Sequence, residues 1–211
     1  SQRLNGENFW FDTERPQLVS IAGVIGVGKT TVAEKLSKLL ECELIKEDYD
    51  NNPYLPKVYQ GHTELALDSQ LYFLQSRVGQ LKDIASGRMY ICDYVFDKEL
   101  IFANQTLDPA QLAEYMKNYN AHCDEIARPV LTIYLMDKME VILDRIHKRN
   151  RSFEQRLCKE TLSKFSEGYD RLFVNWKKSP LIKLDTSEFN CFDKEQIEAL
   201  ADEIRSYTCS C

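Results

Sequence analysis

The run Gly23-Val-Ile-Gly-Val-Gly-Lys-Thr30 constrains this chain more than any other segment. It fits G-x-x-x-x-G-K-[ST], a loop whose backbone amides cradle phosphate. Before it, Leu18–Ala22 is a short apolar stretch that reads as a buried strand. After it, Val32, Leu36, Leu39 and Leu40 fall on one face of a helix. Strand, glycine loop and helix in that order commit the chain to an α/β fold. The glycines let successive N–H groups turn toward one anion, and the helix adds its positive end. Gly23, Val24, Ile25, Gly26, Val27, Gly28, Lys29, Thr30 and Thr31 are therefore expected to bind a nucleotide. Lys29 would reach the β- and γ-phosphates, and the Thr30 hydroxyl would ligate magnesium.

The rest of the chain alternates strand and helix. Strands are expected at 17–23, 43–46, 89–93, 129–136 and 181–185, and helices at 29–40, 64–86, 109–126, 138–148, 155–176 and 193–206. Such alternation gives a five-stranded parallel sheet with helices on both faces, and ligands at the carboxyl ends of its strands. The 211 residues are 44% hydrophobic, enough for a sizeable core, with a net charge of −6 that argues against nucleic acid as a partner. No apolar run nears the roughly 20 residues of a membrane span. Seven scattered cysteines, an odd number with no C-x-x-C pair, point to reduced thiols and a cytoplasmic setting. Residues 1–16 form a polar extension without a signal peptide's apolar core, and 17–211 form the domain.

The strand ends supply the chemistry. Glu47, Asp48 and Asp50 leave the second strand on the same edge as the glycine loop, where a carboxylate can accept a hydroxyl proton. Asp93 ends the third strand, a position suited to holding magnesium opposite Thr30. The helix after the fourth strand ends in Arg145, Arg149 and Arg151, cations able to neutralise charge on a transferring phosphoryl group. Gln70 and Arg77 lie seven apart, nearly two turns, so both project from one helix face as a polar pair.

These residues resemble the deoxynucleoside kinase family, the group including deoxycytidine, deoxyguanosine and deoxyadenosine kinases. The resemblance runs from the glycine loop through the helix after Glu154. Lys46-Glu47 followed by Asn52-Pro53-Tyr54 is similar to the family's K-E-P-x-x-x-N-P-Y stretch. Gln70 and Arg77 match its Q-x₆-R pair, Tyr59 stands eleven residues before Gln70 at the family's spacing, and Arg149-Asn-Arg151 with Glu154-Gln155 resembles its arginine-rich lid. The resemblance implies a P-loop kinase fold, Mg-ATP as donor and a homodimer. It makes Glu47 the general base on a deoxynucleoside 5′-hydroxyl, Tyr59 a sugar contact, Gln70 and Arg77 readers of the base, and Glu154 a bond to the 3′-hydroxyl.

One departure stands out. The family carries Asp/Glu-Arg-Ser/Thr after its third strand, whereas here the run is Asp93-Tyr94-Val95. Lys98, one helical turn on, is the candidate to replace that charge. Glu99 falls where the family has a base-reading aspartate, and with Gln70 and Arg77 it resembles the branch taking purine deoxynucleosides and deoxycytidine. Two other readings compete: a nucleoside monophosphate kinase of thymidylate-kinase type, and a non-catalytic nucleotide switch. The first lacks its Asp-Arg pair at Tyr94, and the second lacks D-x-x-G and N-K-x-D.

Overall fold

The computed structural model describes residues 14–152 and 154–208. Most of the polar extension and the Cys209/Cys211 tail lie outside the described residues. Five strands form one sheet: β1 (Gln17–Ala22), β2 (Glu43–Ile45), β3 (Met89–Cys92), β4 (Leu131–Met136) and β5 (Leu181–Asp185). Their order is β2-β3-β1-β4-β5, and each neighbouring pair is parallel. β1 is buried along its whole length, as a central parallel strand covered on both faces must be.

Eight α-helices are described: α1 (Lys29–Leu39), α2 (Leu55–Tyr59), α3 (Ala66–Leu81), α4 (Lys98–Thr106), α5 (Pro109–His122), α6 (Met139–Arg149), α7 (Lys159–Val174) and α8 (Lys194–Arg205). Alternate strand residues feed two cores. Leu18, Tyr90 and Cys92 pack with side chains of α3, α4 and α5, while Val19, Ile21 and Ile91 pack with α1 and α8. Parallel strands with helices on both faces match the expected architecture.

The elements differ from the expectation in three ways. Two helices, α2 and α4, are additional. α2 has five residues, too few for a periodic signal. α4 buries Lys98, Glu99, Ile101 and Ala103, so polar side chains face inward and its apolar stripe is blurred. The expected helix 155–176 is also broken. Glu154–Arg156 form a 3₁₀ turn, and Cys158 is extended (φ −101°, ψ 164°) before α7 starts. The expected 64–86 begins as a 3₁₀ turn, Thr63–Leu65, and its α-helix ends at Leu81.

Two glycines set close approaches. Gly26 in the phosphate loop has φ +84°, and a Cβ there would lie 2.6 Å from Ile146 Cγ1. Gly168 on α7 faces α4, where a Cβ would lie 2.6 Å from Ile101 Cγ2. α4 is thereby drawn tightly onto α7, which fixes its first turn at the sheet edge.

Candidate active site

The loops after β1, β2 and β3 meet at the carboxyl edge of the sheet. A cavity of about 260 Å³ opens there, lined on one side by Ile25, Gly26, Gly28, Lys29, Thr30 and Thr31, and on the other by Lys46, Glu47, Tyr49, Asp50, Asp93, Arg149, Arg151 and Glu154. The loop turns because Gly26 and Gly28 take positive φ, and α1 begins directly after it. Lys29 Nζ donates to the Gly23 carbonyl at 2.6 Å and to that of Val24 at 3.0 Å. Gly23, Val24 and Val27 support the loop without lining the cavity, Val24 and Val27 being part of the core.

Burial, then the neighbouring Lys98, pushes the Lys29 ammonium down to about 7, against the pull of Glu47 and Asp93. Below pH 7 the ammonium is charged; above it the charge is progressively lost. Phosphates favour the charged form, so nucleotide binding at about pH 8 is expected to take up a proton. Titration calorimetry with ATP in buffers of different ionisation enthalpy checks this. The uptake should shrink at about pH 6 and vanish in Lys29→Met; equal proton exchange in the variant would overturn it.

Thr30 Oγ1 donates to Asp93 Oδ2 at 2.8 Å, and the Glu47 amide donates to Asp93 Oδ1 at 2.7 Å. A hydroxyl and a carboxylate converging beside the phosphate loop are hard oxygen donors. Among the described residues no group of three or more His, Cys, Asp or Glu side chains could hold a metal ion. Magnesium needs no such cage, because it binds through one or two protein oxygens plus phosphate and water. Thr30 and Asp93 fit that ion.

Glu47 sits at the centre of a buried ionic cluster. Its Oε1 accepts from Lys98 Nζ at 2.7 Å and from Arg77 Nη2. Arg77 Nη1 donates to Glu99, which also accepts from the Tyr115 hydroxyl. Arg77, Lys98 and Glu99 are 3%, 2% and 0% exposed, and Glu47 brings its carboxylate from this buried cluster to the cavity wall, so two cations and two carboxylates balance there. Burial alone would raise the Glu47 carboxyl, but Lys98 and then Arg77 outweigh it and hold it at about 2. Burial likewise lowers Lys98 against the pull of Glu47. The loop carrying Glu47 is pinned by Asn52, whose Nδ2 donates to the carbonyl and hydroxyl of Ser69 on α3.

A second cavity of about 130 Å³ adjoins the cluster. Tyr49, Tyr59, Phe73, Phe102 and Phe165 give it aromatic walls, with Gln70 and Arg77 as polar points. Phe102 and Phe165 stack at 4.3 Å, and the Arg77 guanidinium lies 4.6 Å over the Phe73 ring. Among the described residues, Gln70 Oε1 and Arg77 Nε are buried without hydrogen-bond partners. An unmet buried acceptor and donor cost about 1–3 kcal/mol each, which a ligand with a matching polar edge would recover. Burial pushes the Tyr59 phenol up to about 12, opposed by its hydrogen bond with Tyr49 and reinforced by Glu154.

The residues expected from sequence do not all reach these cavities. Arg149 grips Glu154 through Nε (3.1 Å) and Nη2 (2.6 and 2.7 Å), and Arg151 Nη1 lies 3.7 Å from the same carboxylate. Arg145 stands apart. It pairs with Asp137 at 3.0 Å and donates to the Val27 carbonyl, on the outer side of the loop, because the helix face it shares with Arg149 leads away from the cavity one turn earlier. Glu99 lies behind Arg77 and lines neither cavity. Tyr94 turns into the core and donates to Gln80 Oε1 at 2.7 Å, while Lys98 occupies the place beside Glu47. Tyr49, Phe165 and Tyr115 were not expected; aromatic residues without a motif carry no signal that separates a pocket wall from a core.

The deoxynucleoside kinase family model matches residues 19–209. The chain belongs to the deoxynucleoside kinase family. Deoxyguanosine kinase of Bacillus subtilis is 36% identical over 157 residues, covering 72% of this chain and 76% of its own. The deoxyadenosine/deoxycytidine kinase of the same organism is 28% identical over 199 residues, 90% of this chain and 92% of its own. A solved structure of deoxyadenosine kinase from M. mycoides, with products dCMP and a flexible dCDP bound, has a TM-score of 0.77 and 26% identity over 90% of this chain and 98% of that one. This deoxynucleoside kinase is thus a phosphotransferase with the P-loop kinase fold, and its donor is a nucleoside triphosphate. Family membership removes the monophosphate-kinase and switch readings.

Proposed function

We propose that the enzyme transfers the γ-phosphoryl of ATP to the 5′-hydroxyl of a purine deoxynucleoside, with deoxycytidine as a secondary acceptor, in nucleotide salvage. One observation carries the reading: Glu47 and Tyr49 stand where the two cavities meet. Tyr49 lines both, and Glu47 lines the phosphate cavity while holding Arg77 of the aromatic one. A nucleoside seated between Phe102 and the Gln70/Arg77 edge would bring its sugar to that junction.

The residues then divide the work. Lys29 and the loop amides hold the donor phosphates. Thr30 and Asp93 would hold Mg²⁺, which supplies positive charge against the phosphate oxygens when bound. Glu47 orients the acceptor hydroxyl and takes its proton. Arg149 and Arg151, swung from Glu154, cap the transferring group and help exclude water. Lys98 keeps Glu47 ionised, and Glu154 with Tyr59 meets the sugar. Glu99 acts through Arg77. Arg145 braces the loop from outside. Among the described residues the unmet Gln70 acceptor and Arg77 donor suit a base edge with an amino N–H beside a ring acceptor, as adenine and cytosine both present; the purine preference rests on the similarity to purine deoxynucleoside kinases. The similar B. subtilis enzymes act on deoxyguanosine and on deoxyadenosine and deoxycytidine.

We also assign a homodimer formed through α3 and α5, where Leu67, Leu71, Leu112 and Met116 stay partly buried, and a cytoplasmic setting. No described helix is long and apolar enough to cross a membrane. A coupled ADP-release assay over the four deoxynucleosides and their monophosphates tests the reading. Turnover is expected with deoxyadenosine or deoxyguanosine; activity confined to monophosphates would overturn it.

A further inference from the structure

We propose that Arg77 is a positioning residue that holds Glu47 out of use until a base occupies the aromatic pocket. The inference rests on the reading of Glu47 as the acceptor-side base. One guanidinium spans two carboxylates: Nη1 is on Glu99, and Nη2 is on Glu47 Oε1, the same oxygen that accepts from Lys98 at 2.7 Å. An oxygen under two cations is a poor proton acceptor. The third nitrogen of Arg77, Nε, is buried and unpartnered among the described residues, as is Gln70 Oε1 in the same pocket wall.

A ligand in this cavity gives Nε a partner when the guanidinium turns toward it. Glu99 is fixed by the Tyr115 hydroxyl and anchors one end. Rotation about that anchor takes Nη2 from Glu47. The rings of Phe73 and Tyr94, 4.6 and 5.6 Å from Cζ, offer apolar faces along which the flat group can slide. A base edge competing for Arg77 thus strips one of the two cations from the carboxylate just when an acceptor is present. During transfer the 5′-oxygen bonds to the γ-phosphorus, the bond from that phosphorus to the ADP oxygen breaks, and the hydroxyl proton passes to Glu47. With water as acceptor the same exchange gives ADP and phosphate. With the pocket empty, Arg77 suppresses that wasteful reaction.

The test measures ADP release from ATP with no acceptor and with 1,2-dideoxyribose, a sugar that lacks a base. Wild type should be slow with both. Arg77→Gln, which keeps a polar head at the level of Nε but gives up the ion pairs to Glu47 and Glu99, should raise both rates about tenfold while deoxynucleoside kcat/KM falls at least about tenfold. A base-independent rate at or below that of wild type, in a variant that still binds ATP, would overturn the latch. If Arg77→Gln does not fold, Glu99→Gln tests the same idea. Loosening the far anchor leaves Arg77 more fully on Glu47, so kcat should fall more than KM changes; an unchanged kcat overturns the latch. Adding Glu47→Gln to Arg77→Gln separates the two claims. The gained rate should vanish, and its persistence would refute Glu47 as the base rather than the latch alone.

Discussion

Glu47→Gln is expected to lower kcat by about 10²–10⁴-fold while the deoxynucleoside KM changes far less. Gln keeps the shape and can still accept from Lys98 and Arg77, but it cannot take a proton. The geometry sets the expectation: Glu47 is the carboxylate shared by the phosphate cavity and the ionic cluster, and Lys98 and Arg77 keep it ionised far below neutral pH. The same change leaves two buried cations against one remaining carboxylate, Glu99. Breaking a buried pair of this kind costs about 3–5 kcal/mol. Urea unfolding should register that cost, and kinetics should be read only where the variant is folded. Wild-type turnover in folded Glu47→Gln would remove Glu47 from the chemistry.

Lys98→Ala is expected to be nearly as damaging, with kcat/KM down about 100-fold and stability reduced by a similar 3–5 kcal/mol. Lys98→Arg should recover most of both. The contrast tests charge rather than volume. The lysine is 2% exposed and pairs with Glu47 at 2.7 Å, close enough to Lys29 to lower its pKa. It stands where the sequence motif led one to look for an arginine at position 94. Full activity in Lys98→Ala would show that the charge is dispensable.

How much of this could be read beforehand follows from the kind of signal each residue carries. The sheet and the phosphate loop were legible because they obey local rules: β1 is mostly apolar and buried along its length, the loop has glycines where φ must be positive, and α1 repeats its apolar face. Asp93 was legible because a lone acid ends an apolar strand. α4 was not, since its inward residues include Lys98 and Glu99; buried charge inverts the pattern that marks a helix. The broken helix before α7 has the same origin, because Glu154 turns inward to Arg149 instead of continuing a helical face. Arg145 misled because spacing puts it on one face with Arg149, yet spacing cannot say where along that face the cavity ends. Tyr94 could be seen as a missing arginine, but only the fold shows its hydroxyl on Gln80 and Lys98 in the vacated role.

The contact between Gly168 and Ile101 has a consequence for how variation in this chain is to be weighed. Gly168 lies on α7 and lines neither of the two cavities at the candidate site. Yet it is the backstop of α4, the helix that carries Lys98 and Glu99, and a Cβ added there would lie 2.6 Å from Ile101. A side chain at 168 is therefore expected to press on Ile101 and, through it, on the helix that carries both charges. A survey that ranks substitutions by distance from the two cavities would score such a change as neutral, although its lever arm ends at the ionic cluster around Glu47.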